Sequence, residues 1–224
     1  MSDKIALIIY DLDGVLIDSN DAICESFNRV LENIGEKRLP DSKIRDMIGK
    51  PITEMFRLVL PTDRKYLTEY CTESYRAIYE NLALESTKLL PGVTETLSIF
   101  RRAGLKQSLA TTKQSAIAES ILHHLAIREF FDLVLGADSV EQPKPSPEII
   151  RKTLNELNVD REEAIYVEDT VIGIEAGKKA GVFTIGITTG TQTREQLLES
   201  EPDSIIEDIR ELPMIVERLG SGIA

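Results

Sequence analysis

Six short apolar runs constrain what this chain of 224 residues can fold into. Each run is long enough for a strand, and each is apolar enough for both faces of that strand to be buried. The runs are Ile5 to Tyr10, Ser108 to Thr111, Leu133 to Leu135, Ala164 to Val167, Val182 to Ile187 and Ser204 to Ile206. Between the later runs, apolar residues recur at helical spacing, as at Val93, Leu97 and Phe100. This alternation predicts a Rossmann-like α/β fold, in which a doubly wound parallel sheet has helices on both faces.

The segment from Asn20 to about Thr87 interrupts this alternation, because it has helical periodicity but no convincing strand. Its first part has one amphipathic face, and two further helical stretches follow at Thr53 to Leu60 and Tyr66 to Leu82. We therefore predict an α-helical cap domain of residues 19–87, inserted into a core domain of residues 1–18 and 88–224.

Charge and cysteine content exclude several classes of protein. The chain has 26 basic and 38 acidic residues, and its net charge of −12 repels a phosphate backbone, so we expect no nucleic acid partner. Cys24 and Cys71 are far apart and belong to no CxxC motif, which predicts reduced core thiols. The first apolar run is broken by Asp11 and is too short for a signal peptide or a membrane span, and Met1 to Lys4 carries too little charge. A cytoplasmic protein without a membrane partner is expected.

Two carboxylates follow the first apolar run directly. Asp11 and Asp13 are two residues apart on an extended backbone, so they can project to the same side at the carboxyl end of the strand. Ligands bind at this edge in open parallel sheets, and paired carboxylates suit Mg²⁺. Gly14 permits the backbone to turn there. The alternative is an ordinary turn, because Asp and Gly form turns in many proteins.

Three other runs also lead to polar residues. Thr111 and Thr112 end the run SLATT, where a hydroxyl and free N–H groups can accept an anion, although such residues also cap ordinary helices. Lys144 lies between prolines in EQPKPSPE, where a stiff loop would hold its ammonium group; the alternatives are a solvated loop lysine or a polyproline-like linker. Glu168 and Asp169 end the run AIYVEDT. If these strand ends converge, they supply the groups that metal-assisted phosphoryl transfer needs.

Four motifs, in this order along the chain, resemble those of the haloacid dehalogenase superfamily of phosphohydrolases. They are DLDGV at Asp11 to Val15, the threonine of LATT, the lysine of PKPSP, and YVEDT with the glycine-rich GIEAGKKAG after it. The helical insert after the first motif resembles the helical-cap class of the superfamily, which includes phosphoglycolate phosphatases, pyrophosphatases and β-phosphoglucomutases. The resemblance covers almost the whole chain.

The resemblance implies a catalytic role for each motif. Asp11 would be the nucleophile that becomes an aspartyl phosphate, and Asp13 would be the general acid for the leaving group and the general base for water. Thr111, with the backbone at Thr112, would hold the phosphoryl group. Lys144 would neutralise both that group and Asp11.

The resemblance also implies a metal site and a substrate-binding loop. Mg²⁺ would be bound by the Asp11 side chain, the Asp13 carbonyl and Asp169, with Glu168 beside or at the metal. In the cap, the loop that contains Gly49 and Lys50 would contact the substrate. Candidate partners for a substrate anion are Arg45, Lys50 and Arg57, although solvated surface charges are the alternative.

The leading function is therefore a Mg²⁺-dependent phosphatase that hydrolyses a small phosphorylated metabolite through an aspartyl phosphate, similar to phosphoglycolate phosphatases. One departure concerns the fourth motif, since many phosphatases of this family have Gly-Asp and another Asp four residues later. This chain has Glu168, Asp169 and then Gly173, and its Glu-Asp version resembles the one found in β-phosphoglucomutases and some sugar phosphatases. A sugar phosphomutase is thus the alternative, although the histidine that such mutases share is absent from Asp21 to Gly35. A receiver-type phosphorylatable signalling module fits less well, because such modules carry no large helical insert.

Overall fold

The computed structural model of the protein describes residues 5–220, so the predictions for Met1 to Lys4 and for both ends of the core domain lie partly outside the described residues. The strands are β1 (Leu7–Tyr10), β2 (Ile17–Asp18), β3 (Lys88–Leu89), β4 (Lys106–Ala110), β5 (Leu133–Leu135), β6 (Ala164–Glu168), β7 (Phe183–Ile187) and β8 (Ser204–Ile206). The helices are α1 (Asn20–Asn33), α2 (Asp41–Arg45), α3 (Ile52–Val59), α4 (Thr68–Ser86), α5 (Val93–Arg102), α6 (Ser115–His124), α7 (Glu148–Leu157), α8 (Val171–Ala180), α9 (Arg194–Glu199) and α10 (Leu212–Gly220).

All six predicted apolar runs form strands of one parallel sheet, in the order β5-β4-β1-β6-β7-β8. The sheet has helices on both sides, which confirms the predicted fold class. All four residues of β1 are buried, because this strand is central and has a neighbour on either side. After β1 the chain adds β4 and β5 toward one edge of the sheet. It then returns to the other side of β1 and adds β6, β7 and β8 toward the opposite edge. Open α/β sheets bind their ligands at such a reversal of strand order.

The chain divides into two compact units: residues 19–88, and residues 1–18 together with 89–224. We call them the helical unit and the core unit. In the helical unit, α1 and α3 pack against α4. The Phe27 and Phe56 rings stack with their centroids 4.3 Å apart, and Phe56 meets Tyr75 edge to face. The helical periodicity predicted from sequence corresponds to α1, α3 and α4, whereas α2, with five residues, was not predicted.

The register of the sheet aligns the carboxyl ends of three strands. Tyr10, the last residue of β1, is level with Leu109 of β4 and Val167 of β6. The Asp11 N–H continues the ladder by donating to the Val167 carbonyl at 3.0 Å, and the Thr111 N–H donates to Leu135 at 3.0 Å. The residues that follow these strands therefore reach one edge of the sheet at nearly the same height. Among residues 5–220, no helix combines the length and apolarity that crossing a membrane requires.

Candidate active site

Three buried carboxylates meet at this edge of the sheet. Asp11 follows β1, Glu168 ends β6 and Asp169 follows it, and each of the three offers a carboxylate oxygen within 4.8 Å of the others. Burial raises the pKa of Asp11 to about 7, and the negative charges of Glu168 and Asp13 act in the same direction. Burial, followed by the charges of Glu168 and Asp11, also raises the pKa of Asp169 well above its usual range. Burial therefore opposes the ionised forms of Asp11 and Asp169, and a nearby cation would favour them.

Lys144 lies between two of these carboxylates. Its Nζ is 2.6 Å from Asp11 Oδ1 and 2.9 Å from Glu168 Oε2, and only 3% of its side chain is exposed. Burial alone would lower the pKa of Lys144, but the charges of Asp11 and Glu168 outweigh burial and raise it well above its usual value. The alternative of a solvated loop lysine is therefore wrong.

Glu168 accepts five hydrogen bonds in total. Oε2 receives two, from Lys144 Nζ and from the Tyr166 hydroxyl at 2.5 Å. Oε1 receives three, from the N–H groups of Asp169 and Thr170 and from the Thr170 hydroxyl at 2.8 Å. Burial opposes ionisation of Glu168, but Lys144 and these hydrogen bonds outweigh it and lower its pKa. Glu168 is therefore a charged side chain whose two oxygens already have donors.

Tyr166 was not predicted as a site residue, because a tyrosine inside an apolar run is typical of a core. The side chains of Tyr166 and Glu168 project to the same side of β6, since residues two apart in a strand do so. The Lys144 ammonium also lies 5.3 Å from the centroid of the Tyr166 ring. Strand periodicity counted back from Glu168 was the signal that could have identified Tyr166.

Asp13 has a cationic partner that was also not predicted as a site residue. Lys113 Nζ is 2.7 Å from Asp13 Oδ2, and the two side chains are 9% and 15% exposed. Lys113 is brought there by the turn after β4, in which its N–H donates to the Thr111 hydroxyl at 3.2 Å. Thr111 is buried at the end of β4, and Thr112 is next to it before α6 begins at Ser115. The sequence placed Lys113 behind the two threonines but gave it no role.

Close backbone approaches explain two glycines around the carboxylates. Gly14 has φ +71°, and an ideal Cβ there would lie 2.3 Å from Asp169 Oδ2. A Cβ at Gly173 of α8 would lie 1.9 Å from Glu168 Oε2. Both positions must therefore lack a side chain for the carboxylates to sit where they do.

The remaining predicted site residues, Gly49 and Lys50, belong to the helical unit. Gly49 has φ +98°, and Lys50 is 3.6 Å from Glu54. The other two candidate cations also face carboxylates of their own unit. Arg45 is 3.2 Å from Asp21, and Arg57 is 3.8 Å from Glu69. The side chains of these three pairs are 32–86% exposed, so their ion pairs are weak and can exchange for another anion at little cost.

Comparisons with known proteins bear on the family and the fold of the chain. Residues 8–187 match the family model described as haloacid dehalogenase-like hydrolase. The chain is 33% identical to "Probable phosphatase IndB" of Dickeya dadantii over 92% of this chain and 91% of that protein. It is also 33% identical to pyrophosphatase PpaX of Bacillus velezensis, over 95% and 97% respectively. Among solved structures, a haloacid dehalogenase-like hydrolase from Streptococcus pneumoniae has a TM-score of 0.85 at 26% identity, covering 96% of this chain and 99% of that one.

Proposed function

The chain belongs to the haloacid dehalogenase-like hydrolase family and is a phosphatase, and we propose that it hydrolyses a small phosphorylated metabolite through an aspartyl phosphate, with Mg²⁺ as cofactor. The observation that carries this proposal is the buried ion pair of Asp11 and Lys144 at 2.6 Å, at the end of the central strand. A carboxylate so placed is fixed in direction, and the ammonium beside it can balance a phosphoryl group.

In the first half of the proposed reaction, a carboxylate oxygen of Asp11 attacks phosphorus and the bond from phosphorus to the leaving oxygen breaks. Lys144 balances charge on the transferred group, and Thr111 with the backbone at Thr112 holds its oxygens. Asp13 gives a proton to the leaving oxygen. Thr111 follows the last residue of β4 and lies one residue beyond the level of Asp11 in the β1–β4 register, which supports this assignment.

In the second half, water attacks phosphorus and the bond to the Asp11 oxygen breaks. Asp13, now ionised, takes a proton from that water, which restores both carboxyl groups to their starting states. The contact of Asp13 with Lys113 at 2.7 Å supports this role, because it would hold the carboxyl group in one position for both proton transfers.

The charges of the site fit a divalent cation. The site has four carboxyl groups, Asp11, Asp13, Glu168 and Asp169, and two ammonium groups, Lys113 and Lys144. With all four carboxyl groups ionised it would carry two net negative charges, which a divalent cation would balance. The ligands offered are hard oxygens, which Mg²⁺ prefers.

We assign the ligands of Mg²⁺ to the side chains of Asp11 and Asp169 and the main-chain carbonyl of Asp13. When bound, Mg²⁺ would neutralise these carboxylates and the phosphoryl oxygens. Glu168 would lie beside the metal, because its two oxygens already accept five hydrogen bonds. Its first role would be to hold Lys144.

Lys113 also bears on the class of substrate. Because it lies 2.7 Å from the acid that would protonate the leaving group, it favours leaving groups that carry a negative charge. Phosphoglycolate has such a leaving group, and so does inorganic pyrophosphate. Pyrophosphate is the second candidate substrate, since a relative named as a pyrophosphatase covers almost the whole chain.

The helical unit would act as a cap that contacts the substrate through Gly49 and Lys50. We also propose a cytoplasmic location, which the two free and buried cysteines, Cys24 and Cys71, support. A sugar phosphomutase remains the alternative activity, and α1 contains no histidine of the kind that such mutases share.

The test is a screen of phosphate release with Mg²⁺ on phosphoglycolate, pyrophosphate, sugar phosphates and nucleotides. Asp11→Asn should reduce release below detection and should no longer form a hydroxylamine-labile phosphoenzyme after acid quenching. Asp63→Asn, at an exposed position, is the matched control and should behave as wild type. Substantial turnover by Asp11→Asn would refute the nucleophile. Interconversion of hexose 1- and 6-phosphates without net release would instead establish the mutase.

A further inference from the structure

The turn between β7 and α9, residues 188–193 with the sequence TTGTQT, contributes no charged group but contacts both acidic segments of the candidate site. We call it the 188–193 turn. The Thr189 hydroxyl donates to the Gly14 carbonyl at 2.5 Å, across 175 positions of sequence. Gln192 Oε1 accepts from the Val171 N–H, at the first residue of α8, at 2.6 Å. The turn thus joins the segment after β1 to the segment after β6.

Gly190, in the middle of this turn, lies directly against Asp169. An ideal Cβ at Gly190 would be 1.8 Å from Asp169 Oδ2 and 2.5 Å from Cγ. A Cβ at Gly14 would be 2.3 Å from the same oxygen and 2.8 Å from the Gly190 Cα. The Asp169 carboxylate is therefore enclosed between two glycines, and it can turn only as far as their backbones allow.

The turn itself is fixed at both ends. The Thr188 N–H donates to the Ile206 carbonyl of β8 at 3.1 Å, which continues the sheet. At the other end, Thr193 and Gln196 form a capping box at the start of α9. A segment anchored in this way can transmit a fixed position to the groups that it touches.

We propose that the 188–193 turn is a positioning element of the metal site, in which Gly190 directs the Asp169 carboxylate and Thr189 holds the turn that carries Asp13. The inference rests on the proposed function, because it takes Asp11, Asp169 and the Asp13 carbonyl as the Mg²⁺ ligands. No residue of the turn needs to touch the metal or the substrate. Its effect is to keep ligands from two distant parts of the chain at the spacing that one cation requires.

The first variant is Gly190→Ala, whose added methyl group must displace Asp169. Affinity for Mg²⁺ is measured by isothermal titration calorimetry without substrate, and folding is followed by the melting temperature in EDTA. We expect Mg²⁺ to bind about tenfold to a hundredfold more weakly, in the range seen when partners of metal ligands are changed. KM for the substrate at saturating Mg²⁺ should stay within about threefold. Gly186→Ala is the matched control, because a Cβ there meets no atom closer than 3.3 Å and its nearest neighbours belong to Ile205, Ile174 and Pro202, not to Asp169.

A second set of variants keeps the test decisive if Gly190→Ala does not fold. Thr189→Val removes the hydrogen bond to Gly14 at nearly constant volume and should weaken Mg²⁺ binding about threefold to tenfold, the range for one hydrogen bond. Thr189→Ser keeps the hydroxyl and should restore binding. Thr191→Val, two residues along the same turn, is the control.

Unchanged Mg²⁺ affinity in Gly190→Ala, or equal affinities for Thr189→Val and Thr189→Ser, would overturn the inference while leaving the proposed function intact. A lower melting temperature in EDTA without weaker Mg²⁺ binding would do the same, since it would show a purely structural role. A wild-type protein that binds no Mg²⁺ would overturn both.

Discussion

Glu168→Gln removes one negative charge from the candidate site and leaves the side-chain volume almost unchanged. One carboxylate oxygen accepts hydrogen bonds from Lys144 and Tyr166, and the other accepts them from Asp169 and Thr170. An amide has only one oxygen, so its NH₂ group must face one of these two sets of donors. Either orientation leaves buried donors unsatisfied and leaves Lys144 with one fewer counter-charge.

The size of the effect follows from burial. The Glu168 side chain is 2% exposed and that of Lys144 is 3% exposed, so solvent can neither screen nor replace the lost interaction. Removal of one partner from a buried ion pair costs about 3–5 kcal/mol. In a chain of this length, 1 kcal/mol shifts the melting temperature by about 2–4 °C, so we expect a fall of about 6–20 °C.

The assay is differential scanning calorimetry in EDTA at neutral pH, so that no metal contributes. Glu162→Gln is the matched control, because Glu162 is 54% exposed and pairs with Arg161 at 2.7 Å; its melting temperature should not change measurably. If Glu168→Gln had the same melting temperature as the control variant, the hydrogen bonds of Glu168 would make no contribution to stability. Its contribution would then have to come from direct coordination of the metal.

Three further results are expected. Lys144→Ala should lower the rate of phosphate release by about 10³-fold or more, because it removes a buried charge that would stabilise the transferring group. Steady-state kinetics with Mg²⁺ check this, and a mild effect would refute the proposed role of Lys144. In EDTA, the free energy of unfolding should fall as pH rises from about 4 to 7, because the pKa of Asp11 is about 7 in the folded state and 3.8 otherwise, so the folded state holds the proton longer. The free energy of unfolding, measured with urea at each pH, should fall less steeply with pH in Asp11→Asn than in the wild type. An identical pH dependence would contradict the raised pKa of Asp11. Finally, Gly173→Asp alone should be nearly inactive, since a Cβ there meets Glu168 at 1.9 Å, whereas Glu168→Gly with Gly173→Asp should recover about tenfold in rate; no recovery would exclude their coupling.

The strands and the edge of the sheet could be predicted because their signal is local. The apolar run from Ile5 to Tyr10 is continuous since β1 is buried on both faces, and Asp11 follows at once because the strand ends at the ligand-binding edge. Lys144 is a different case, since its neighbours in sequence are prolines and its partners are 133 and 24 positions away. Its position between prolines made it a candidate, but its role beside Asp11 was implied only by the family resemblance.

The contacts that sequence did not predict are those set by the packing of distant segments. Lys113 precedes a helix and is of a residue type typical of protein surfaces, yet the turn after β4 directs its side chain to Asp13. Thr189 and Gly190 lie in a turn that reads only as polar and flexible, and their contacts with Gly14 and Asp169 depend on β7 being next to β6. Strand order cannot be deduced from periodicity, so no spacing in the sequence encodes these pairs.

The departure of the fourth motif from Gly-Asp can be explained by the space around Lys144. The ammonium needs a second carboxylate besides Asp11, and here the long side chain of Glu168 supplies it from the end of β6. That side chain occupies the volume that any side chain at position 173 would enter, so Gly173 is the consequence of Glu168 and not an independent loss of an acid. In a Gly-Asp motif with an Asp four residues later, the glycine would stand at position 168 and the carboxylate at position 173. One carboxylate would still occupy that space. The pair of Glu168 with Gly173 therefore satisfies the same need for charge, and it is not by itself an argument for a phosphomutase over a phosphatase.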